Sequence, residues 1–262
     1  MKISIVTISF NQVEFLKECI ESIINQPDYI ELIVVDPGST DGSRELIDLY
    51  GDRIIKVFEK DNGPADGLNR GFSKSTGNIL GFINSDDALV PKASRIILDA
   101  FEDGKTDAIC GTGYFIDENN RKIGQTAGSK FSAWLYSIDA VTVFQQSTFF
   151  SRKAFDLTNG FNVNNKTCWD SELFFDMSMK GISFKPVWGK IGLFRLHTNS
   201  ISVSGKFSQQ REKDLKRIKQ PFSNKFNLLF KRFNLYFKLL ADPTYMLRKG
   251  TIQRDPFKRL NK

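Results

Sequence analysis

Residues 77–89 read GNILGFINSDDAL: an apolar run, Ile79 to Ile83, stops abruptly at Asn84-Ser85-Asp86-Asp87. A continuous apolar run of this length, bounded by polar residues, predicts a strand buried on both faces. Two adjacent carboxylates repel each other and cost free energy to desolvate. Their place at a strand end calls for a partner of opposite charge.

Working outward from this stretch, three similar runs precede it: ISIVTISF (3–10), IELIVVD (30–36) and RIIKVFE (53–59). Between them the spacing becomes helical. Phe15, Cys19, Ile20, Ile23 and Ile24 share a face, and GSTDGSRELIDLY offers capping residues before a short helix. Pro91 can open a further helix through Ile96, Ile97 and Phe101. This alternation predicts an α/β fold, with a mostly parallel sheet covered on both faces. DAICGTGYFID (107–117) predicts another strand, and DSELFFDMSMKG (170–181) a helix closed by Gly181. SFKPVWGKIGLFRLH predicts one or two strands, and residues 118–168 are less regular.

Open α/β sheets bind ligands beyond the carboxyl ends of their strands. There the sequence places Ser9 and Asn11; Asp36 and Ser39; Asp61, Asp66 and Asn69; and Asn84 to Asp87. Polar residues after four successive strands, carboxylates after three of them, point to one shared site. No G-x-G-x-x-G follows the first strand, and no G-x-x-x-x-G-K-[ST] occurs. A bound phosphate therefore calls for a hard cation, and Mg²⁺ or Mn²⁺ on Asp86 meets that need.

The chain has 262 residues, enough for one sizeable core with an appendage. Three cysteines without paired spacing exclude a disulfide framework and predict a reducing compartment. No apolar run reaches the ~20 residues that span a bilayer. The net charge of +7 is unevenly placed: residues 206–262 carry 16 Lys and Arg against 4 Asp and Glu, and the preceding residues 21 against 26. A boundary near residue 204 therefore divides an acidic body from a basic extension, 205–262.

SIVTISFNQ, VVDPGSTDGS, DNGPADGLNRG, GNILGFINSDD, QQSTFF, WDSELFFDM and FRLHTNSIS occur in this order. Together they resemble the family 2 glycosyltransferases of GT-A fold, of the bacterial cell-surface polysaccharide type, over roughly residues 2–204. The resemblance implies an inverting, metal-dependent hexosyltransferase using a nucleotide-diphosphate sugar, UDP-linked by expectation. Thr7, Ser9 and Asn11 would then line the nucleotide pocket, with Asp36 and Ser39 at the base or ribose, and Asp66 and Asn69 facing the nucleotide. Asn84-Ser85-Asp86 falls on the D-x-D metal motif, departing from it at Asn84. Asp86 would ligate the metal, Asp87 would stand with it in support, and His197 or Arg195 would meet metal or diphosphate. Asp170, paired with Glu172, would be the catalytic base, although Trp169 replaces the family's leading Glu. Gln145 and Gln146 would line the acceptor site. Rival readings are a sugar nucleotidyltransferase and a non-catalytic membrane-associated scaffold of the same fold.

In the extension, SNKFNLLFKRFNLYFKLL (223–240) places Phe226, Leu229, Phe230, Phe233, Phe237 and Leu240 on one helical face, flanked by Lys225, Lys231, Arg232 and Lys238. A second strip holds Leu228, Leu235 and Leu239. A basic, aromatic-rich amphipathic helix predicts contact with an anionic membrane surface through 223–262, on the inner face of the cytoplasmic membrane. That placement suggests a lipid-linked saccharide acceptor. Docking of one strip on the body, or on a second subunit in a homodimer, is the alternative. The acidic body argues against nucleic acid.

Overall fold

β1 (Ile3–Ile8) sends Ile3 and Ile5 to one face of a sheet and Val6 to the other, and all three are buried. The computed structural model describes residues 1–198, 200 and 207–250, and in it nine strands form one sheet. The first half alternates strand and helix: α1 (Val13–Ile24), β2 (Ile30–Val35), α2 (Ser43–Asp48), β3 (Ile55–Val57), α3 (Pro64–Lys74) and β4 (Ile79–Phe82). These four strands are parallel, in the order β3-β2-β1-β4.

The second half adds β5 (Ala88–Leu89), α4 (Ala93–Phe101), β6 (Ala108–Ile116), β7 (Lys122–Ala127), α5 (Ala133–Ser137), β8 (Thr148–Ser151), α6 (Arg152–Asp156), α7 (Trp169–Met179) and β9 (Phe184–Arg195). β8 joins the halves, antiparallel to both β4 and β6, and β9 runs parallel to β6. The sheet is thus parallel where the nucleotide half was expected and mixed beyond it. A short connection between neighbouring strands permits only antiparallel pairing, as in the β6–β7 hairpin.

Two apolar layers cover the sheet. Val6, Val35, Leu80 and Phe82 meet Leu68 and Phe72 of α3 and Leu173, Phe174 and Met177 of α7. Ile5, Leu32 and Ile79 meet Leu16 and Ile20 of α1 and Ile97 of α4. Each such side chain, fully buried, contributes about 1.5–3 kcal/mol, so the two-faced burial read from the apolar runs is what fixes the layers.

The extension holds α8 (Ser208–Lys219), α9 (Lys225–Phe230), α10 (Asn234–Ala241) and α11 (Tyr245–Lys249). The single helix expected over 223–240 is broken: a 3₁₀ turn, Lys231–Phe233, separates α9 from α10. An apolar face needs an unbroken 3.6-residue period, and the turn divides it. Phe230 and Phe237 pack on Trp134, with centroids 6.1 and 5.3 Å away, whereas Leu229, Phe233 and Leu240 stay exposed. Ile218 and Tyr245 are buried, and Arg248 pairs with Asp242 in the interior. The side chains of Lys225 and Phe226, the boundary at 204–205 and the basic stretch 251–262 lie outside the described residues.

Candidate active site

The carboxyl ends of β1, β2 and β4 form a continuous rim because the ladder runs on into the loops. Ser9 N–H donates to Val35 O (2.9 Å), Asp36 N–H to Val57 O (2.9 Å) and Ser85 N–H to Ile8 O (3.2 Å). Ser9, Asp36 and Ser85 are thereby set on neighbouring strand ends, which lie about 4.8 Å apart.

Asp36 is fully buried, and its Oδ1 accepts from the N–H groups of Gly38 (2.9 Å) and Ser39 (2.8 Å) and from Arg44 Nε (3.2 Å). Its Oδ2 has no partner, nor do the buried Ser9 Oγ and Asn84 Oδ1. Such groups are costly unless a ligand completes them. Asn11, in the left-handed region at φ +51, ties the first two loops together: its N–H donates to Ser39 Oγ and its Oδ1 accepts from Thr40 N–H. Asn11 and Ser39 therefore hold the loops after β1 and β2 against each other. The Asp66 carboxylate accepts from Asn62 N–H and Nδ2 (both 3.0 Å) and faces Arg70 at 3.4 Å. Burial pushes this carboxyl up, but those hydrogen bonds outweigh it and hold it below its ordinary value.

At the opening motif, Asp86 Oδ2 lies 3.0 Å from His197 Nε2. Asp87 faces the other way: its Oδ1 accepts Arg195 N–H (2.9 Å) and its Oδ2 accepts Gln146 Nε2 (2.8 Å). Burial, and then the charge of Asp86, push the Asp87 carboxyl well above the usual carboxylate range. Among the described residues, no three of His, Cys, Asp and Glu converge as a metal-binding group. Mg²⁺ and Mn²⁺ accept a small protein contribution and complete their shell from phosphate oxygen and water. Asp86 and His197, with the unpartnered Asn84 Oδ1 nearby in sequence, fit that requirement.

Asp170 opens α7, half-buried, with Ser171 N–H donating to its Oδ1 (2.7 Å). Burial raises this carboxyl above its ordinary value, against hydrogen bonding by Ser171 and the charge of Arg211. A raised carboxyl is a better proton acceptor than an ordinary one.

Four expected roles change. Arg195 is 1 % exposed, and its guanidinium is consumed by Asp86 O, Asp117 O, Asn120 Oδ1 and Glu18 Oε2; it braces the aspartates and has no fork left for phosphate. Asp87 accepts one hydrogen bond on each carboxylate oxygen, an arrangement in keeping with the supporting place expected for it. Thr7 lies on the α1 face, its Oγ1 3.8 Å from Cys19 Sγ, because strand alternation groups it with Ile3 and Ile5. Asn69 clamps Phe161, its Nδ2 donating to the carbonyl and its Oδ1 accepting the N–H, both at 2.8 Å. Glu172 is held by Arg217 through both oxygens and by Asn162 (2.8 Å) and Asn165 (2.6 Å), which leaves Asp170 as the base candidate. Arg44 and Glu18 carry no motif signal: Arg44 bonds Asp36, eight positions away, and Glu18 meets Arg195, 177 positions away; Gln12, which follows β1 beside Asn11, accepts from Ser85 Oγ (3.2 Å).

The chain's resemblance to known proteins agrees with this geometry. Residues 4–169 match the family described as Glycosyl transferase family 2. An uncharacterized glycosyltransferase of Nostoc sp. is 32% identical over 145 residues, covering 53% of this chain and 45% of that protein. The chondroitin synthase of Pasteurella multocida is 28% identical over 217 residues, 80% of this chain and 22% of that one. The chain thus spans less than half the length of these relatives. Among solved structures, S. aureus TarS 1–349 in complex with UDP-GlcNAc superposes with a TM-score of 0.69 at 15% identity, over 91% of this chain and 72% of that one. The Pyrobaculum calidifontis mannosyltransferase in complex with GDP-Man and Mn²⁺ gives 0.62 at 15% identity, over 99% and 78%. With its parallel first half, its acidic rim and this match over most of its body, the chain belongs to glycosyl transferase family 2 and has the GT-A fold.

Proposed function

We propose that the protein transfers a sugar, with inversion, from a UDP-linked donor to a hydroxyl of an envelope or lipid-linked saccharide. The observation that carries the donor site is the rim where buried Asp36 Oδ2, Ser9 Oγ and Asn84 Oδ1 stand without partners near the Asp86–His197 pair. Asp36 suits a nucleoside N–H or hydroxyl donor, since its remaining oxygen is a pure acceptor. Mn²⁺ or Mg²⁺ held by Asp86 and His197 would supply neutralisation of charge on the departing diphosphate. Asp170 takes the acceptor hydroxyl proton as that oxygen bonds the anomeric carbon and the carbon–oxygen bond to the diphosphate breaks. TarS and the mannosyltransferase, solved with UDP-GlcNAc and with GDP-Man and Mn²⁺, support a nucleotide-sugar donor.

The extension supports a surface location at an anionic bilayer, which on this reading is the inner face of the cytoplasmic membrane. Leu228, Leu229, Phe233, Leu235, Tyr236 and Leu240 are exposed. Within residues 215–250, Asp242 is the lone carboxylate, and it is buried against Arg248. This face therefore offers apolar area within a positive field, the combination an anionic membrane surface attracts. Among the described residues, no helix is long and apolar enough to cross a membrane.

Incubation with UDP-Glc, UDP-Gal, UDP-GlcNAc, UDP-GlcA and GDP-Man, with and without Mn²⁺, tests the activity against an envelope extract as acceptor. Metal-dependent release of nucleoside diphosphate is expected. Pyrophosphate release would assign a nucleotidyltransferase, and no turnover with any donor a non-catalytic scaffold. For the surface, sedimentation with phosphatidylglycerol vesicles but not with phosphatidylcholine vesicles is expected. A two-chain mass with no vesicle binding would assign the face to a second subunit.

A further inference from the structure

The base candidate sits in a turn that the extension grips from both sides. Thr167, three residues before Asp170, donates its Oγ1 to Asp214 Oδ2 at 2.8 Å. Glu172, two residues after it, receives both terminal nitrogens of Arg217. Asp214 and Arg217 are one helical turn apart on α8, so one face of that helix reaches both ends of the catalytic turn. Glu172 passes the restraint on: Asn162 and Asn165 donate to it, and Asn165 Oδ1 accepts from the N–H groups of Thr167 (3.0 Å) and Cys168 (2.9 Å). The capping position, Cys168, gives α7 no side-chain cap, and the Ser171 N–H in its first turn is taken by Asp170 Oδ1 instead. Behind them Ile218 is buried in the core that also holds Leu173 and Phe174, and Phe222 packs on Phe175 at 6.0 Å.

None of these bonds reaches the unpartnered atoms of the donor rim, Asp36 Oδ2, Ser9 Oγ and Asn84 Oδ1. A polar network that spans two elements and encloses one carboxylate costs two well-ordered side chains from each of them. Its effect falls on the position of Asp170. Arg211, one further turn back on α8, also places a positive charge that acts on Asp170 against its burial.

We propose that α8 of the basic extension is a positioning element of the transfer site: Arg217 through Glu172, and Asp214 through Thr167, fix the backbone that presents Asp170 to the acceptor. The inference rests on Asp170 as the base. The extension then joins two roles, an outward apolar, cationic face and an inward polar face that orders the base.

The experiment is steady-state kinetics of Arg217→Met, Arg217→Lys and Thr167→Val with the donor that the nucleotide-sugar screen selects, beside UDP titration with Mn²⁺. Misplacing a catalytic group by about 1 Å costs up to ~10²-fold. Arg217→Met is expected to lower kcat by about 10- to 100-fold while the donor KM and the Kd for UDP stay within about twofold. Arg217→Lys keeps the charge and loses the planar fork, and is expected to recover part of that loss. A kcat within about twofold of the parent enzyme in Arg217→Met would overturn the proposal, as would kcat and UDP affinity falling together. If Arg217→Met does not fold, unchanged kcat in both Arg217→Lys and Thr167→Val overturns it. Asp170→Asn separates the premise: retained turnover there removes the base itself, whereas its loss beside unimpaired Arg217 variants removes only the clamp.

Discussion

Arg195 donates its backbone N–H to Asp87 Oδ1 at 2.9 Å, and its Nε reaches back to the carbonyl of Asp86 at 2.8 Å. One residue at the end of β9 thus fixes both members of the aspartate pair, 108 and 109 positions earlier in the chain. The guanidinium lies 4.9 Å over the Phe15 ring and pairs with Glu18 at 2.8 Å, so α1 is part of the same brace. Arg195→Met keeps the backbone N–H on Asp87 and removes the side-chain bonds to the Asp86 carbonyl and to Glu18. Removing the donor from a buried hydrogen-bond acceptor costs about 1–3 kcal/mol, and the Glu18 side chain, 37% exposed, regains water in place of the guanidinium. Denaturant unfolding is expected to show a loss of that size.

Gln146 supplies the second contact to Asp87, 2.8 Å from Nε2 to Oδ2. Asp87 stands behind the proposed ligand Asp86, and residues in that place commonly govern about 10- to 100-fold in metal affinity. Gln146→Ala is expected to weaken Mn²⁺-dependent UDP binding by that range. Asp86→Ala is expected to abolish the dependence on Mn²⁺ altogether, read by titrating UDP with and without the metal. Equal UDP affinity in Asp86→Ala and the parent protein, metal or no metal, would remove Asp86 from the metal site.

Asp170→Asn retains the shape of the side chain and removes its basicity. A positioned base contributes about 10²- to 10⁴-fold, and kcat is expected to fall by that much. UDP binding should stay unchanged, because Asp170 belongs to α7 and the nucleotide to the strand ends. Unaltered turnover in this variant would leave the acceptor proton to another group.

What the sequence made legible was periodicity and local chemistry. Apolar runs such as Ile79–Ile83 located the strands, and the polar residues after them located the rim. His197 beside Asp86 followed from the family motif, not from spacing, since 111 residues separate them. Three of the reassigned residues share one cause. Arg195, Asn69 and Glu172 carry groups that suit a ligand, but tertiary partners consume them: Glu18 and Asp117, Phe161, and Arg217. A side chain's type reports what it can bind, and only the fold reports what it already binds. The broken helix at 231–233 fails for a related reason, because packing of Phe230 and Phe237 on Trp134 outweighs an ideal wheel.

Asn69 offers a direct check on that distinction. Its amide spans the backbone N–H and carbonyl of Phe161, next to Gly160, which is left-handed at φ +72 and packs so closely that a Cβ there would stand 2.6 Å from Asn69 Oδ1. Asn69→Ala leaves both Phe161 groups unsatisfied, at about 1–3 kcal/mol. The expected result is a lower unfolding midpoint with UDP affinity unchanged. Loss of UDP binding in a variant that is still folded would return Asn69 to the nucleotide site.

Glu31 tests the fold away from chemistry. It pairs across the sheet with Ser4, and it accepts from Lys2 Nζ (2.6 Å), Ser4 Oγ (2.5 Å), Thr76 N–H (2.7 Å) and Thr76 Oγ1 (2.8 Å). Burial alone would raise its carboxyl, but these four donors outweigh burial and lower it from 4.5 to about 2. A carboxyl depressed in the folded state stabilises above its unfolded value and loses that contribution as the pH falls toward the folded one. Glu31→Gln is therefore expected to lower stability by roughly 2–3 kcal/mol at pH 7. The gap between variant and parent should stay level down to about pH 4.5 and then close as the pH approaches 2. Urea unfolding at several pH values reads it directly, and a gap that is constant across that window would show that shape, not charge, sets the contribution of Glu31.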